Sequence, residues 1–143
     1  MNRRALGRGR LTVGIGAMLA VVGCFLPWFT VGGGAGQLPA TSANGFDGAG
    51  VVVFVAAVAL LALIALPYAA GDQPLAIDRA ATYVVVAAVG VIGLLARLAQ
   101  LLLQLSDVSP LFPLQAPGLW LAAAGVVIMV IGVGDVLRER GGP

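Results

Sequence analysis

Gly48-Ala49-Gly50-Val51-Val52-Val53-Phe54-Val55-Ala56-Ala57-Val58-Ala59-Leu60-Leu61-Ala62-Leu63-Ile64-Ala65-Leu66-Pro67-Tyr68-Ala69-Ala70-Gly71 contains no charged side chain and almost no polar one. About 20 such residues, rising about 1.5 Å each as a helix, cross the roughly 30 Å hydrocarbon core of a bilayer. The apolar residues are continuous rather than alternating, and an open sheet would leave backbone groups unpaired in lipid, so the stretch reads as a helix.

Outward from this run the pattern repeats. Charge is also absent from Leu11 to Phe46, from Ala80 to Ala96 and from Val108 to Gly134. These runs predict an all-α, four-helix transmembrane bundle with spans near 11–29, 49–70, 80–103 and 118–137. A basic segment, 1–10, precedes the transmembrane domain at 11–137, and a short tail, 138–143, follows it. Composition agrees: the chain of 143 residues is 60% hydrophobic and 10% charged, against roughly 25% charged in a soluble domain. One domain is the natural count, and no internal repeat is convincing.

Direction follows from arginine, since all eight basic residues are Arg. Arg3, Arg4, Arg8 and Arg10 precede span one, Arg138 and Arg140 follow span four, and Arg79 lies between spans two and three. The two remaining loops carry Asp47 and Asp107 and no basic residue. The positive-inside rule places the N- and C-termini in the cytoplasm, with the chain multi-pass in the cell (inner or plasma) membrane. Trp28, Phe29, Phe46, Phe112 and Trp120 gather at the outer boundary, Tyr68 and Tyr83 at the inner one, as interfacial belts do. Arginine without lysine, among abundant Ala, Gly and Val, resembles the composition of a GC-rich bacterial genome.

The loops have their own signals. Val31-Gly32-Gly33-Gly34-Ala35-Gly36 is too rich in glycine to favour a single conformation. Asp47 is placed to N-cap span two. Gly71-Asp72-Gln73-Pro74 reads as a helix stop and tight turn, with Asp78 near the start of span three.

Phe25-Leu26-Pro27-Trp28-Phe29-Thr30, the glycine-rich loop, and then Gly45-Phe46-Asp47-Gly48-Ala49-Gly50 entering an apolar helix together resemble a group of uncharacterised small four-span bacterial integral membrane proteins. The likeness covers the first hairpin, about a third of the chain. It implies the topology and no chemistry.

Several motifs remain. Val21-Val22-Gly23-Cys24 matches a lipoprotein cleavage box after an Arg-rich segment. The residues that follow, Phe25-Leu26-Pro27-Trp28-Phe29, prolong the apolar run where a lipoprotein would begin a polar tether, which favours an unmodified thiol in a helix continuing through Phe29. Gly16 with Ala20, and Gly118, Ala122 and Gly125 with Gly132, have the spacing of close helix packing, within the bundle or at an oligomer seam. Arg97 falls about 5 Å short of the outer hydrocarbon edge, from where its side chain can snorkel to water. Gln100, Gln104 and Asp107 continue from it as one polar stripe beside Leu98, Leu101, Leu102 and Leu105. Either the loop Val108 to Pro113 folds back over those leucines or they form an outward docking surface.

The function classes narrow accordingly. Absence of His and a single Cys remove the usual metal and haem chemistry, so no cofactor or metal is expected. No constellation suggests catalysis. Asp135, beside Arg138 near the inner boundary, is too close to water to suggest a proton relay. The net charge of +2 sits mainly at the termini and gives no nucleic-acid footprint. The leading expectation is a non-enzymatic accessory or scaffold subunit that acts through helix packing and an outer surface, its partners being the lipid bilayer and a membrane protein or further copies of itself. The alternative is a small transporter or channel acting as an oligomer, although mid-span polar groups for a path are missing.

Reporter fusions test the topology. Those after Pro143 and within Gly71 to Asp78 are expected to read as cytoplasmic, and those near Ala40 and Ser109 as exported; a cytoplasmic signal at Ala40 would overturn the four-span reading.

Overall fold

The computed structural model describes residues 7–31, 41–69, 79–105 and 116–141. In chain order these form α1 (Arg8–Phe25), β1 (Pro27–Val31), β2 (Thr41–Asn44), α2 (Gly50–Ala69), α3 (Arg79–Leu105) and α4 (Pro117–Gly141). All four helices are long and apolar enough to cross a membrane, which supports a multi-pass membrane protein. The two hairpin strands were not anticipated. Span one also ends earlier than expected, at Phe25 rather than Phe29, because Pro27 disfavours helical geometry in the residue before it. Leu26 is accordingly extended, at φ −85° and ψ 158°.

The helices pack α1 beside α2, α2 beside α3, and α4 beside both α3 and α1, with the α1–α4 contact the most extensive. Arg8 and the C-terminal turn of α4 lie together at one end of the molecule, the terminal end. The strands and the start of α2 lie at the other, the hairpin end.

The α1–α4 contact is a backbone seam. Gly9, Gly16 and Gly23 recur every seven residues on α1, as Gly118, Gly125 and Gly132 do on α4. This is the period of a left-handed coiled-coil seam. The helices are antiparallel, so Gly9 meets Val136, Val13 meets Gly132, Gly16 meets Met129, Ala20 meets Gly125 and Gly23 meets Ala122. A Cβ added at Gly16 would stand 2.5 Å from Met129 N, and one at Gly23 would stand 2.5 Å from Ala122 N. Neighbouring backbone leaves no room for either. Gly16 and Gly125 also point their Cα hydrogens at each other's carbonyl oxygens, as Gly23 and Gly118 do. Such Cα–H···O contacts contribute about 0.5–1 kcal/mol each.

Gly16, Ala20, Gly118, Ala122, Gly125 and Gly132 all lie along this α1–α4 contact. Gly9, Val13, Gly23 and Met129 complete the seam, and the seven-residue spacing was the available signal for the two glycines. Gly134 is different, with no atom within 4 Å of a Cβ built there.

Around the seam, Val13, Ala17, Ala20 and Cys24 of α1 join Val53, Ala57 and Leu60 of α2, Tyr83, Ala87 and Leu94 of α3, and Ala122, Val126, Met129 and Val133 of α4 in a single core. Met129 links three helices, its backbone against Gly16 and its methyl 3.7 Å from a Cβ built at Gly90. A flexible, unbranched side chain suits such an irregular junction. At the terminal end, the Gly9 N–H donates to Glu139 Oε1 at 3.0 Å. That carboxylate of α4 satisfies one of the first, unpaired amides of α1 and faces the positive end of its dipole.

Valine at Gly16 or Gly125 is expected to lower stability in detergent by at least the roughly 1–3 kcal/mol typical of overpacking, while valine at Gly134 leaves it unchanged. Thermal unfolding followed by circular dichroism checks this; equal effects at Gly125 and Gly134 would remove the seam from its place in the fold.

Candidate functional site

The polar groups of the hairpin end act first on the backbone. β1 and β2 pair antiparallel, with Pro27 opposite Asn44, Phe29 opposite Ala43, Thr30 opposite Ser42 and Val31 opposite Thr41. The register shifts between Pro27 and Phe29, which leaves Trp28 as the extra residue of a bulge. A bulge re-aims a side chain, and this one turns Trp28 inward. Its ring is 0% exposed, and its indole N–H donates to Gly23 O at 2.9 Å. The Leu26 N–H donates to that same carbonyl at 3.3 Å, and the Gly45 N–H donates to Cys24 O at 2.9 Å. Two of the final carbonyls of α1, those of Gly23 and Cys24, are thus satisfied by three nearby donors. Trp28 is a buried clamp on a helix end, in contrast to the lipid-facing belt residue expected; Trp120, more than half exposed, does face outward.

Between β2 and α2 the chain makes an Asx-type turn. Asn44 N–H donates to Asp47 Oδ2 at 2.8 Å, and Phe46 N–H donates to Asn44 Oδ1 at 2.9 Å. Asp47 therefore holds the turn and does not cap α2 as its position suggested. The Ala49 N–H, just before α2, instead donates across the fold to Gln100 Oε1 of α3 at 3.2 Å. Gly48 adopts φ +70° in this turn, a conformation that glycine takes without the penalty other residues incur. A Cβ at Gly48 would also stand 2.8 Å from Gln100 Oε1 and 3.0 Å from Arg97 Nη1.

Arg97 accordingly lies beneath the Gly48 turn. It is only 4% exposed, whereas the sequence reading had it snorkelling to water. Its Nε finds no hydrogen-bond partner, and the neighbouring charge that acts on the guanidinium is that of Asp47. Of the expected stripe, Arg97 and Gln100 come together around Gly48. Asp107 and the side chain of Gln104 lie outside the described residues, as do Leu105's side chain and the loop expected to cover the leucines. Leu98 and Leu101 face inward, while Leu102 and Leu103 are 56% and 76% exposed. Phe25, Phe46 and Phe54 stack edge to face nearby, with centroids 5.0 to 5.9 Å apart.

No protein-family model, curated protein or solved structure matches this chain. Its chemistry is read from its own residues.

Those residues offer shape more than reactivity. Among the described residues no three of His, Cys, Asp and Glu come together. Cys24 is buried inside α1, its carbonyl engaged by Gly45. Asp135, near the end of α4, is partly exposed. Two open apolar grooves lie between helices, one of about 420 Å³ between α1 and α2 and one of about 500 Å³ between α3 and α4. Asn44 and Gly48 were not anticipated as organising residues: Asn44 acts locally, through Phe46 and Asp47, while the role of Gly48 depends on where α3 passes.

Alanine at Gly48 is expected to cost about 1–2 kcal/mol from the left-handed backbone alone. Gln100→Leu should speed hydrogen exchange at the Ala49 amide about fivefold, the equivalent of one hydrogen bond worth about 1 kcal/mol. Unaltered exchange at Ala49 would show that Gln100 does not hold the start of α2.

Proposed function

We propose that this protein is a non-enzymatic accessory or scaffold subunit of a membrane complex, embedded in the cell membrane with both termini cytoplasmic, which docks through its hairpin end. The observation that supports this reading is the overshoot of α3. Ala49 is level with Gln100, so α3 runs on to Leu105 about 7 Å beyond the start of α2 at 1.5 Å per residue. Leu102 and Leu103 are exposed on that extension. Side chains of this kind at the level of an extramembrane hairpin offer an apolar contact to another protein.

The base beneath the contact is stiff. Gln100 ties α3 to α2, the Asn44–Asp47 turn fixes the approach to α2, and Trp28 ties β1 to α1. Preorganisation reduces the ordering cost of binding. Arg97 belongs to this support: buried against the Gly48 turn, it shapes the surface from below. The positive-inside distribution of arginine supports the orientation, which puts the hairpin end outside.

The test compares wild type, Leu102→Ser/Leu103→Gln and Arg97→Leu in mild-detergent extracts of native membranes. All three are expected to insert, the double variant to lose its co-purifying partner, and Arg97→Leu to bind it more weakly. A solitary wild-type protomer, or unchanged assembly accompanied by altered ion or solute flux in proteoliposomes, would sink the reading; the second outcome would favour an oligomeric transporter or channel.

A further inference from the structure

The two apolar grooves are alike in size and differ in one respect. The α3–α4 groove is lined by Val84, Ile92, Val130, Gly134 and other uncharged residues. The α1–α2 groove is lined as apolarly along its length but has Arg10 at its terminal end. We propose that the α1–α2 groove is a binding site for an anionic phospholipid, with one acyl chain along α1 and the headgroup phosphate on Arg10. This inference rests on the chain spanning a membrane and is independent of any partner at the hairpin end.

Length is the first support. From Leu11 to Val22 the groove follows α1 for about 16 Å at 1.5 Å per residue. One leaflet supplies acyl chain to about half of a 30 Å hydrocarbon core, or about 15 Å. A chain lying in the groove therefore ends where the leaflet ends. Its headgroup stands at the level of Arg10, in the first turn of α1.

Shape and charge supply the rest. Gly14 leaves the floor open: a Cβ built there would make only ordinary contact, 3.5 Å from Ile64 Cδ1. Met18, half exposed on the wall, can adjust to a flexible chain. Glu139, a carboxylate at this end, is turned to the α4 side, where it accepts from the Gly9 N–H. The stem of Arg10 lines the α2 side, whereas Arg8, two residues earlier and about 200° round the helix, points away from the groove. A guanidinium binds a phosphate through paired hydrogen bonds, and a basic residue at an anionic surface contributes about 1 kcal/mol.

The experiment uses the full chain, delipidated in detergent and titrated with dioleoylphosphatidylglycerol or dioleoylphosphatidylcholine, with bound lipids counted by native mass spectrometry. Wild type is expected to prefer the anionic lipid by about fivefold. Arg10→Gln should abolish that preference and leave binding of the zwitterionic lipid as it was. Gly14→Met should fill the groove and reduce binding of both lipids, while Gly134→Met, filling the other groove, changes neither. Absence of a headgroup preference in wild type, its persistence in Arg10→Gln, or equal losses for the two methionine variants would each overturn the proposal. Arg10→Gln carries the test should Gly14→Met not fold, because its change is confined to an end of the groove.

Discussion

Backbone contact between α1 and α4 is the constraint on which the remaining structure depends. In lipid, apolar side chains gain nothing by leaving their solvent, so helices associate through dispersion, weak polar contacts and the fit of their surfaces. Dispersion falls off within fractions of an ångström. Large residues between two helices would hold the axes apart, and glycine at every seventh position removes that obstacle over the whole length of α1. Ala20 and Ala122, like Val13, Met129 and Val136, face these glycines from the opposite helix.

The seam also sets what happens at both of its ends. At the terminal end it brings Glu139 to the first amides of α1, joining a carboxylate to a positive helix end. At the hairpin end it carries Gly118 against the carbonyls of Gly23 and Leu26, just where α1 stops. The carbonyls left over there receive Trp28 and Gly45, and those two residues begin and end the path of the hairpin. Gly45 in turn is packed so closely on Gly50 that the start of α2 is fixed beside the end of α1. A polar problem at a helix terminus, solved locally, thereby places the next helix.

Four helices long and apolar enough to span a bilayer were legible because hydrocarbon imposes a length and a composition that few other environments demand. The packing stripes were legible in part, since Gly16, Ala20, Gly118, Ala122, Gly125 and Gly132 all lie on the seam, although spacing alone could not say whether the partner helix was α4 or another chain. What depends on distant segments was not legible. Asp47 has the chemistry and position of an N-cap, yet the competing turn with Asn44 takes its carboxylate, and Gln100, about fifty residues away, supplies the acceptor. Trp28 has the composition of an interfacial anchor, yet one bulge residue reverses its direction. Arg97 illustrates the same limit. Depth along a helix predicts whether an arginine can reach water, while the side of the helix it occupies decides whether another helix is in the way.

Close packing of one face leaves a consequence for the others. With the smallest residues of α1 and α4 turned toward each other, the outward faces carry Leu11, Ile15, Met18 and Val22 on α1 and Val127, Val130, Ile131 and Leu137 on α4. Bulky residues on an outer face, standing over small ones in the neighbouring turn, produce grooves rather than a smooth cylinder. Such grooves at Gly14 and Gly134 are therefore a by-product of how the helices associate, and size alone does not tell the two apart. Charge is what distinguishes them: Arg10 converts one of two similar depressions into a site with a defined end and a preferred sign, while the other keeps only its shape.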